Sequence, residues 1–298
     1  MQTNFTSSVP VYISTFNNPT YLENFINKLE NNGVKSIKIV DSNSTFPRMK
    51  QLLETLKHKY EVTILDKNFG PHYLLRIKSV YESLPEFFCL SDPDLEFSKE
   101  LPKDFINELK IVSENHKIGK VGVALEIPKI EDVLHRDMFL DGKKIDVVEY
   151  EMQFWNNCIG KNQTGDDLYD TTLDTTFALY NKNYFNPADR YRSIRVAGKF
   201  TTKHLGALRD SIVPLDEIDF YKSSSRYSYF GGKLNSDSEP SFDITVLEYT
   251  KMTELIESLK ENVYNLDSKV QEQNRTIQSI FASKRWNFIS RVLKIFGR

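Results

Sequence analysis

The chain has 298 residues, 40% hydrophobic and 27% charged, with a formal net charge of −2, which suits one sizeable α/β domain with an appendage and excludes a generally basic nucleic-acid binder. No apolar run reaches the roughly 18 residues a membrane-spanning helix needs, and Met1-Gln2-Thr3-Asn4-Phe5 lacks the basic and apolar regions of a secretory signal. The two cysteines, Cys89 and Cys158, stand far apart in apolar surroundings, so both are expected to be small core residues in a reducing, cytoplasmic compartment rather than zinc ligands.

Val9 to Phe16 is a β-branched and aromatic run that predicts the first strand. Asn18-Pro19-Thr20 then opens a helix with Leu22, Phe25, Ile26 and Leu29 at helical spacing, stopped by Asn32-Gly33. Ser36 to Val40 predicts a second strand ending at Asp41, and a helix follows from Pro47 through Met49, Leu52, Leu53 and Leu56. Glu61 to Leu65 predicts a third strand, and one helix is expected from about His72 through Leu75, Val80 and Leu84. Phe87 to Leu90 predicts a fourth strand that delivers Ser91-Asp92-Pro93-Asp94. Such alternation predicts a parallel sheet wrapped by helices, with ligands at the carboxyl ends of the strands, where Asn17, Asp41 and Asp92 would gather.

The middle of the chain, about 126 to 245, is less regular, with one further clear strand expected from Thr175 to Tyr180. From Leu247 the composition turns to Glu, Lys, Gln and Leu. Met252, Ile256, Leu259, Val263, Leu266, Val270, Gln273, Ile277 and Ile280 alternate steps of four and three, a narrow heptad seam that predicts a homo-oligomeric coiled coil over 247–282. In the last fifteen residues Lys284, Arg285, Arg291, Lys294 and Arg298 stand without an acid, which leaves about −7 on the rest by subtraction from −2. Trp286, Ile289, Val292, Leu293 and Phe296 fall on one helical face there, so 283–298 reads as an amphipathic helix lying on an anionic membrane surface. The expected organisation is a single α/β domain over 1–246, then the coiled coil and the tail, peripheral on the inner face of the cell membrane.

Two carboxylates two residues apart can turn toward one cation when a rigid residue such as Pro93 kinks the chain between them. A hard divalent ion wants oxygen ligands and leaves positions open for phosphate oxygens. Acidic pairs in loops are common, so Asp92 and Asp94 gain weight from their place after a buried strand in an α/β pattern. His204 follows a basic, glycine-containing stretch, and a neutral imidazole beside two carboxylates suits Mn²⁺. Around it, Arg195, Lys199, Lys203 and Arg209 could pair with a diphosphate. A reaction in which a hydroxyl attacks needs a carboxylate to accept its proton, with Glu151, Asp166, Asp167 and Asp174 as candidates.

Several stretches, in order, resemble the GT-A-fold glycosyltransferases, close to the bacterial family 2 type of surface-polysaccharide synthesis. Val9 to Asn17 looks like that family's opening strand, and Ile39-Val40-Asp41-Ser42-Asn43-Ser44-Thr45 like its base-contacting segment. Lys67-Asn68-Phe69-Gly70-Pro71-His72 resembles its turn beside the nucleotide, and Ser91 to Asp94 its metal motif. Asp174 to Tyr180 and Arg195 to Leu205 are similar to downstream segments, so the likeness spans about 8 to 210. It implies a Rossmann-like GT-A domain that moves sugar from a nucleotide donor, a UDP-sugar, to a saccharide or lipid-linked acceptor, with inversion and with Mn²⁺ or Mg²⁺ as cofactor. Thr15, Asn17, Asp41, Asn68, Gly70 and Asp92 would bind the nucleotide, Asp92, Asp94 and His204 the metal, and Asp174 or Glu151 would serve as base. A clear Glu-Asp or Gln-x-x-Arg-Trp signature of the commonest family-2 pattern is missing. Of two rival readings, a sugar-phosphate nucleotidyltransferase would place a Gly-rich, basic phosphate loop where Thr15-Phe16-Asn17-Asn18-Pro19 stands. A coiled-coil scaffold with a degenerate transferase domain would have no need of the intact acidic pair.

Overall fold

In the computed structural model the described residues are 8–140, 143–209, 212–224, 263, 265–266 and 268–281. The chain divides into two compact units, residues 1–238 and 239–298.

The first unit opens with β1 (Val11–Thr15), α1 (Pro19–Asn31), β2 (Ile37–Asp41), α2 (Pro47–Leu56) and β3 (Glu61–Ile64). Pro19 starts α1 where no backbone donor is needed, and Leu22, Phe25, Ile26 and Leu29 form its buried face as the spacing predicts, with Tyr21 buried beside them. The helix expected over 72–84 is two short pieces, α3 (Tyr73–Arg76) and α4 (Lys78–Ser83), because Ile77 takes an extended ψ of 108° between them. β4 (Phe87–Ser91), β5 (Leu95–Phe97), α5 (Phe105–His116) and β6 (Lys120–Val123) follow.

The middle is far more regular than its composition suggests. It forms a hairpin of β7 (Asp137–Leu140) and β8 (Lys143–Asp146), α6 (Val147–Met152), β9 (Cys158–Lys161), β10 (Asp167–Thr172), β11 (Ala178–Asn181), β12 (Arg192–Val196), β13 (Thr202–His204) and α7 (Leu215–Ser224). Nine strands make one sheet in the order β3-β2-β1-β4-β11-β6-β12-β10-β9. The expected parallel run is continuous only over β3-β2-β1-β4, with β6 and β12 one further parallel pair. β11 runs antiparallel to both β4 and β6, and β10 antiparallel to β12 and β9, so the whole is mixed. Here β11 meets its neighbours across long separations, Ala178 opposite Leu90 and Gly122, which no local periodicity records.

One face of the sheet carries the core of Phe25, Phe97, Phe105 and Phe177 with Val11, Ile13, Val121 and Leu179. The other carries Tyr12, Leu74, Leu75, Phe88, Leu90, Leu173, Ala178 and Tyr180. Cys89 is buried as expected, whereas Cys158 is exposed on the edge strand β9, a correction to its expected place in the core.

Among the described residues of the second unit, 263, 265, 266 and 268–281 are helical, and the seam residues Val263, Leu266, Val270, Ile277 and Ile280 are exposed. The heptad residues before 263 and the basic tail of 283–298 lie outside the described residues. No helix among the described residues is long and apolar enough to cross a membrane.

Candidate active site

β1, β2 and β4 are parallel, so Thr15, Asp41 and Ser91 end on one edge of the sheet. Just past β4 the chain turns through Asp92-Pro93-Asp94 into β5, which pairs antiparallel with β13 so that His204 faces Leu95. This two-stranded ladder brings His204 Nε2 to 3.2 Å from Asp94 Oδ2 and the Leu205 amide to 2.8 Å from the Asp94 carbonyl. Gly206 keeps the place open: a side chain there would run into Asp94 Oδ2.

The electrostatics follow from this crowding. Burial and then the charge of Asp94 push Asp92 well above the usual carboxylate range. Burial also works against the charge on Asp94, but His204 beside it prevails and lowers its pKa. Burial disfavours the His204 imidazolium, yet Asp94 holds its pKa up at about 9. Asp94 Oδ1 is buried with no hydrogen-bond partner.

No three His, Cys, Asp or Glu side chains among the described residues form a ready metal cage. Ions of the Mg²⁺ class, however, are commonly held by one or two carboxylates, with substrate phosphates and water supplying the remaining ligands. The orphaned Asp94 oxygen, the neighbouring imidazole and the charge-crowded Asp92 fit such an open site.

Asp174 is placed by an unexpected path. The strand predicted from Thr175 begins only at Ala178, and residues 173–177 cross the face of the sheet. The Leu173 amide bonds the Tyr191 carbonyl just before β12, and the Asp92 amide bonds the Thr175 carbonyl at the end of β4. Thr175 also hydrogen-bonds the Asp92 side chain. Asp174 Oδ1 lies 3.0 Å from Nε2 of the buried His72, an ion-pair distance without hydrogen-bond alignment. Burial opposes the Asp174 charge, but His72 and Lys120 outweigh it and lower the pKa.

Glu151 on α6 is bonded by Arg195 of β12, whose guanidinium also donates to the Thr172 carbonyl at 2.9 Å and covers the Phe154 ring at 4.0 Å. Burial raises the Glu151 pKa against the pull of Arg195. The Asp174 side chain is 46% exposed and that of Glu151 10%, so Asp174 is the more accessible of the two carboxylates.

Asp166 is committed elsewhere: it accepts from the Lys199 amide at 2.9 Å and from Thr164 Oγ1 at 2.6 Å, and so closes a loop. Asp167 pairs with Lys161. Of the cations expected near a diphosphate, Arg195 is engaged by Glu151 and Arg209 Nε by the Val133 carbonyl at 2.8 Å. Lys199 lies toward the Thr164 carbonyl and Lys203 is exposed on β13 beside His204.

The residues expected to meet a nucleotide line the same edge. Asn17, at φ 51°, is a buried hub: its Oδ1 accepts from the amides of Thr45 and Phe46, ahead of α2, and its Nδ2 donates to Ser224 of α7. Asp41 is wholly buried, with its oxygens taken by the Ser44 amide at 2.8 Å and the Ser44 hydroxyl at 2.5 Å. Burial raises its pKa against these bonds. Thr15 Oγ1 donates to Asn18, and Asn68 Oδ1 accepts from the amide of Gly70, which sits at φ 75°.

Three residues escaped sequence reasoning. Glu217 of α7 is buried and accepts from Thr20 and Arg48, which anchors α7 over the loops after β1 and β2. His72 carried no signal beyond its turn. Lys120 did carry one: a lysine between glycines and valines in a strand-like run.

No known family model matches the chain, and no curated protein does. Among solved structures it is similar to GalNAc-T7 crystallised with UDP, GalNAc and Mn²⁺, at 10% identity and a TM-score of 0.39, covering 70% of this chain and 45% of that one. The 1–349 form of S. aureus TarS matches at 14% identity and TM-score 0.39, over 82% of this chain and 71% of that one. The WbbM bifunctional glycosyltransferase matches at 14% and 0.31, over 61% and 32%. The chain therefore spans less than half the length of GalNAc-T7 and of the longer TarS structure, of which it covers 42%.

Proposed function

We propose that this chain is a divalent-metal-dependent glycosyltransferase that moves sugar from a nucleoside-diphosphate donor, a UDP-sugar, to a saccharide or lipid-linked saccharide. The observation that carries this reading is the β5–β13 ladder, which sets Asp94 against His204 beside Asp92, with the accessible Asp174 on the segment tied to Asp92. Asp92, Asp94 and His204 would hold Mn²⁺ or Mg²⁺, which supplies positive charge to the diphosphate. The edge of Asn68 and Gly70 would receive the nucleotide, with the buried Thr15, Asn17 and Asp41 acting through the turns they hold. In the transfer, an acceptor hydroxyl oxygen bonds to the anomeric carbon as the bond from that carbon to the phosphate oxygen breaks. The electron pair leaves with the nucleoside diphosphate, the proton passes to Asp174, and the configuration inverts.

The nucleotidyltransferase alternative lacks support at its key position, since the loop after β1 presents Asn17 and no basic side chain. The expected result is release of nucleoside diphosphate from a UDP-sugar with Mn²⁺ and none after chelation. Release of pyrophosphate from a nucleoside triphosphate and a sugar phosphate would overturn the reading.

The heptad segment would join copies of the chain, and the basic tail would hold them at an anionic lipid surface beside a lipid-linked acceptor. Deleting 248–298 should give a folded monomer that no longer sediments with anionic vesicles. An unchanged mass by light scattering and unchanged sedimentation would remove this proposal.

A further inference from the structure

Lys120 opens β6 in the middle of the sheet and is 0% exposed. A buried ammonium is costly unless its donors are met. Here Nζ donates to the carbonyls of Leu173 at 2.5 Å, Asp174 at 2.7 Å and Arg190 at 3.2 Å. The Tyr180 ring lies 5.2 Å away on the neighbouring strand. The first two acceptors belong to the segment that crosses the sheet face, and the third precedes β12.

Two residues on, Gly122 shares the face of Lys120 by strand alternation. A side chain at 122 would strike Leu173 and come within 2.6 Å of the Phe177 carbonyl. Gly122 thus lets the segment lie against β6, and Lys120 bonds it there. The other end is fixed by the bond from the Asp92 amide to the Thr175 carbonyl.

We infer that Lys120 is a positioning residue for Asp174, pinning the 173–174 peptides so that the carboxylate is presented beside the Asp92–Asp94 turn. The inference rests on the transfer reading for its consequence, but the pin itself is a matter of backbone geometry. Burial brings the Lys120 pKa down to about 7, with Arg195 and Arg190 adding to the fall and Asp174 and Asp92 opposing it. A lysine that served packing alone would have no reason to aim every donor at this segment and the loop packed beside it.

The test uses the full chain with Lys120→Met, which keeps the length and removes the donors. Amide hydrogen exchange over 173–177 should rise at least about tenfold while exchange in β1 and β4 stays level. A displacement of about 1 Å in a catalytic group commonly costs on the order of a hundredfold in rate. So kcat for nucleoside diphosphate release should fall by about that factor, with the donor KM within about twofold. Lys120→Gln, which retains an amide donor, should recover part of both effects, and it stands in if the methionine variant does not fold. Unchanged exchange at 173–177 in a folded variant overturns the inference, as does a fall in kcat matched by an equal rise in donor KM. The exchange measurement needs no turnover, so a wild-type chain that releases no nucleoside diphosphate removes the transferase reading while the pin is still judged on exchange.

Discussion

Replacing Asp94 by alanine is expected to lower nucleoside diphosphate release by at least about a thousandfold, since a metal's charge stabilisation of a leaving group amounts to several kcal/mol and each 1.4 kcal/mol is a factor of ten. In the metal-free protein the stability lost should be that of the His204 pairing alone, because one Asp94 oxygen bonds nothing and the other faces His204. A second readout isolates the pair. The folded-state pKa of His204 is raised to about 9 from 6.5. Without metal, the stabilisation from its pairing with Asp94 is therefore complete below about pH 6.5 and lost as pH rises through 9. Thermal unfolding of the metal-free wild type should show that decline, and Asp94→Ala should not. Turnover that survives both the substitution and chelation would refute the metal assignment.

Asp174→Asn is expected to lower kcat by roughly a hundred- to ten-thousandfold, the usual span for loss of a positioned base. The donor KM should barely move, because the carboxylate engages the acceptor's proton and not the nucleotide. Glu151→Gln offers the contrast. It removes the charge that Arg195 faces in a buried site, so its main cost should be stability, of about 3–5 kcal/mol for a broken buried pair. Should Glu151→Gln abolish kcat in a stable protein while Asp174→Asn turns over normally, the two roles are exchanged.

What could be read from the sequence follows the range of the interactions involved. α1 and α2 announce themselves because burial on one face imposes a period within ten or so residues, and β1, β2 and β4 because burial on both faces makes a short, nearly continuous apolar run. The Asp92-Pro93-Asp94 turn could be placed for the same reason, since it directly follows such a strand. The mixed half of the sheet could not, because β11 sits between β4 and β6 through pairings that local composition does not encode. Asp166 and Arg195 looked available to ligands for want of their partners: the Lys199 amide and Glu151 lie 33 and 44 residues away. Cys158 has Phe154, Trp155 and Ile159 near it in sequence but falls on an edge strand, where that neighbourhood does not mean burial. His204 could be proposed from its surroundings, but only the β13–β5 ladder gives it Asp94.

The anchoring of α7 bears on how the molecule comes to be assembled. Asn17 and Thr20 belong to the first turn of chain after β1, yet they bond Ser224 and Glu217 across separations of 207 and 197 residues. The opening β-α-β module is therefore not self-sufficient, since its ligand-facing loops are framed by residues translated nearly two hundred positions later. Entropically such a long closure is cheap, each doubling of loop length costing only about 0.6 kcal/mol. Its burden falls on time, because contacts of high sequence separation are slow to form. The edge at the ends of β1 and β2 thus belongs to the last stage of the fold, although most of its residues lie far ahead of α7 in the chain.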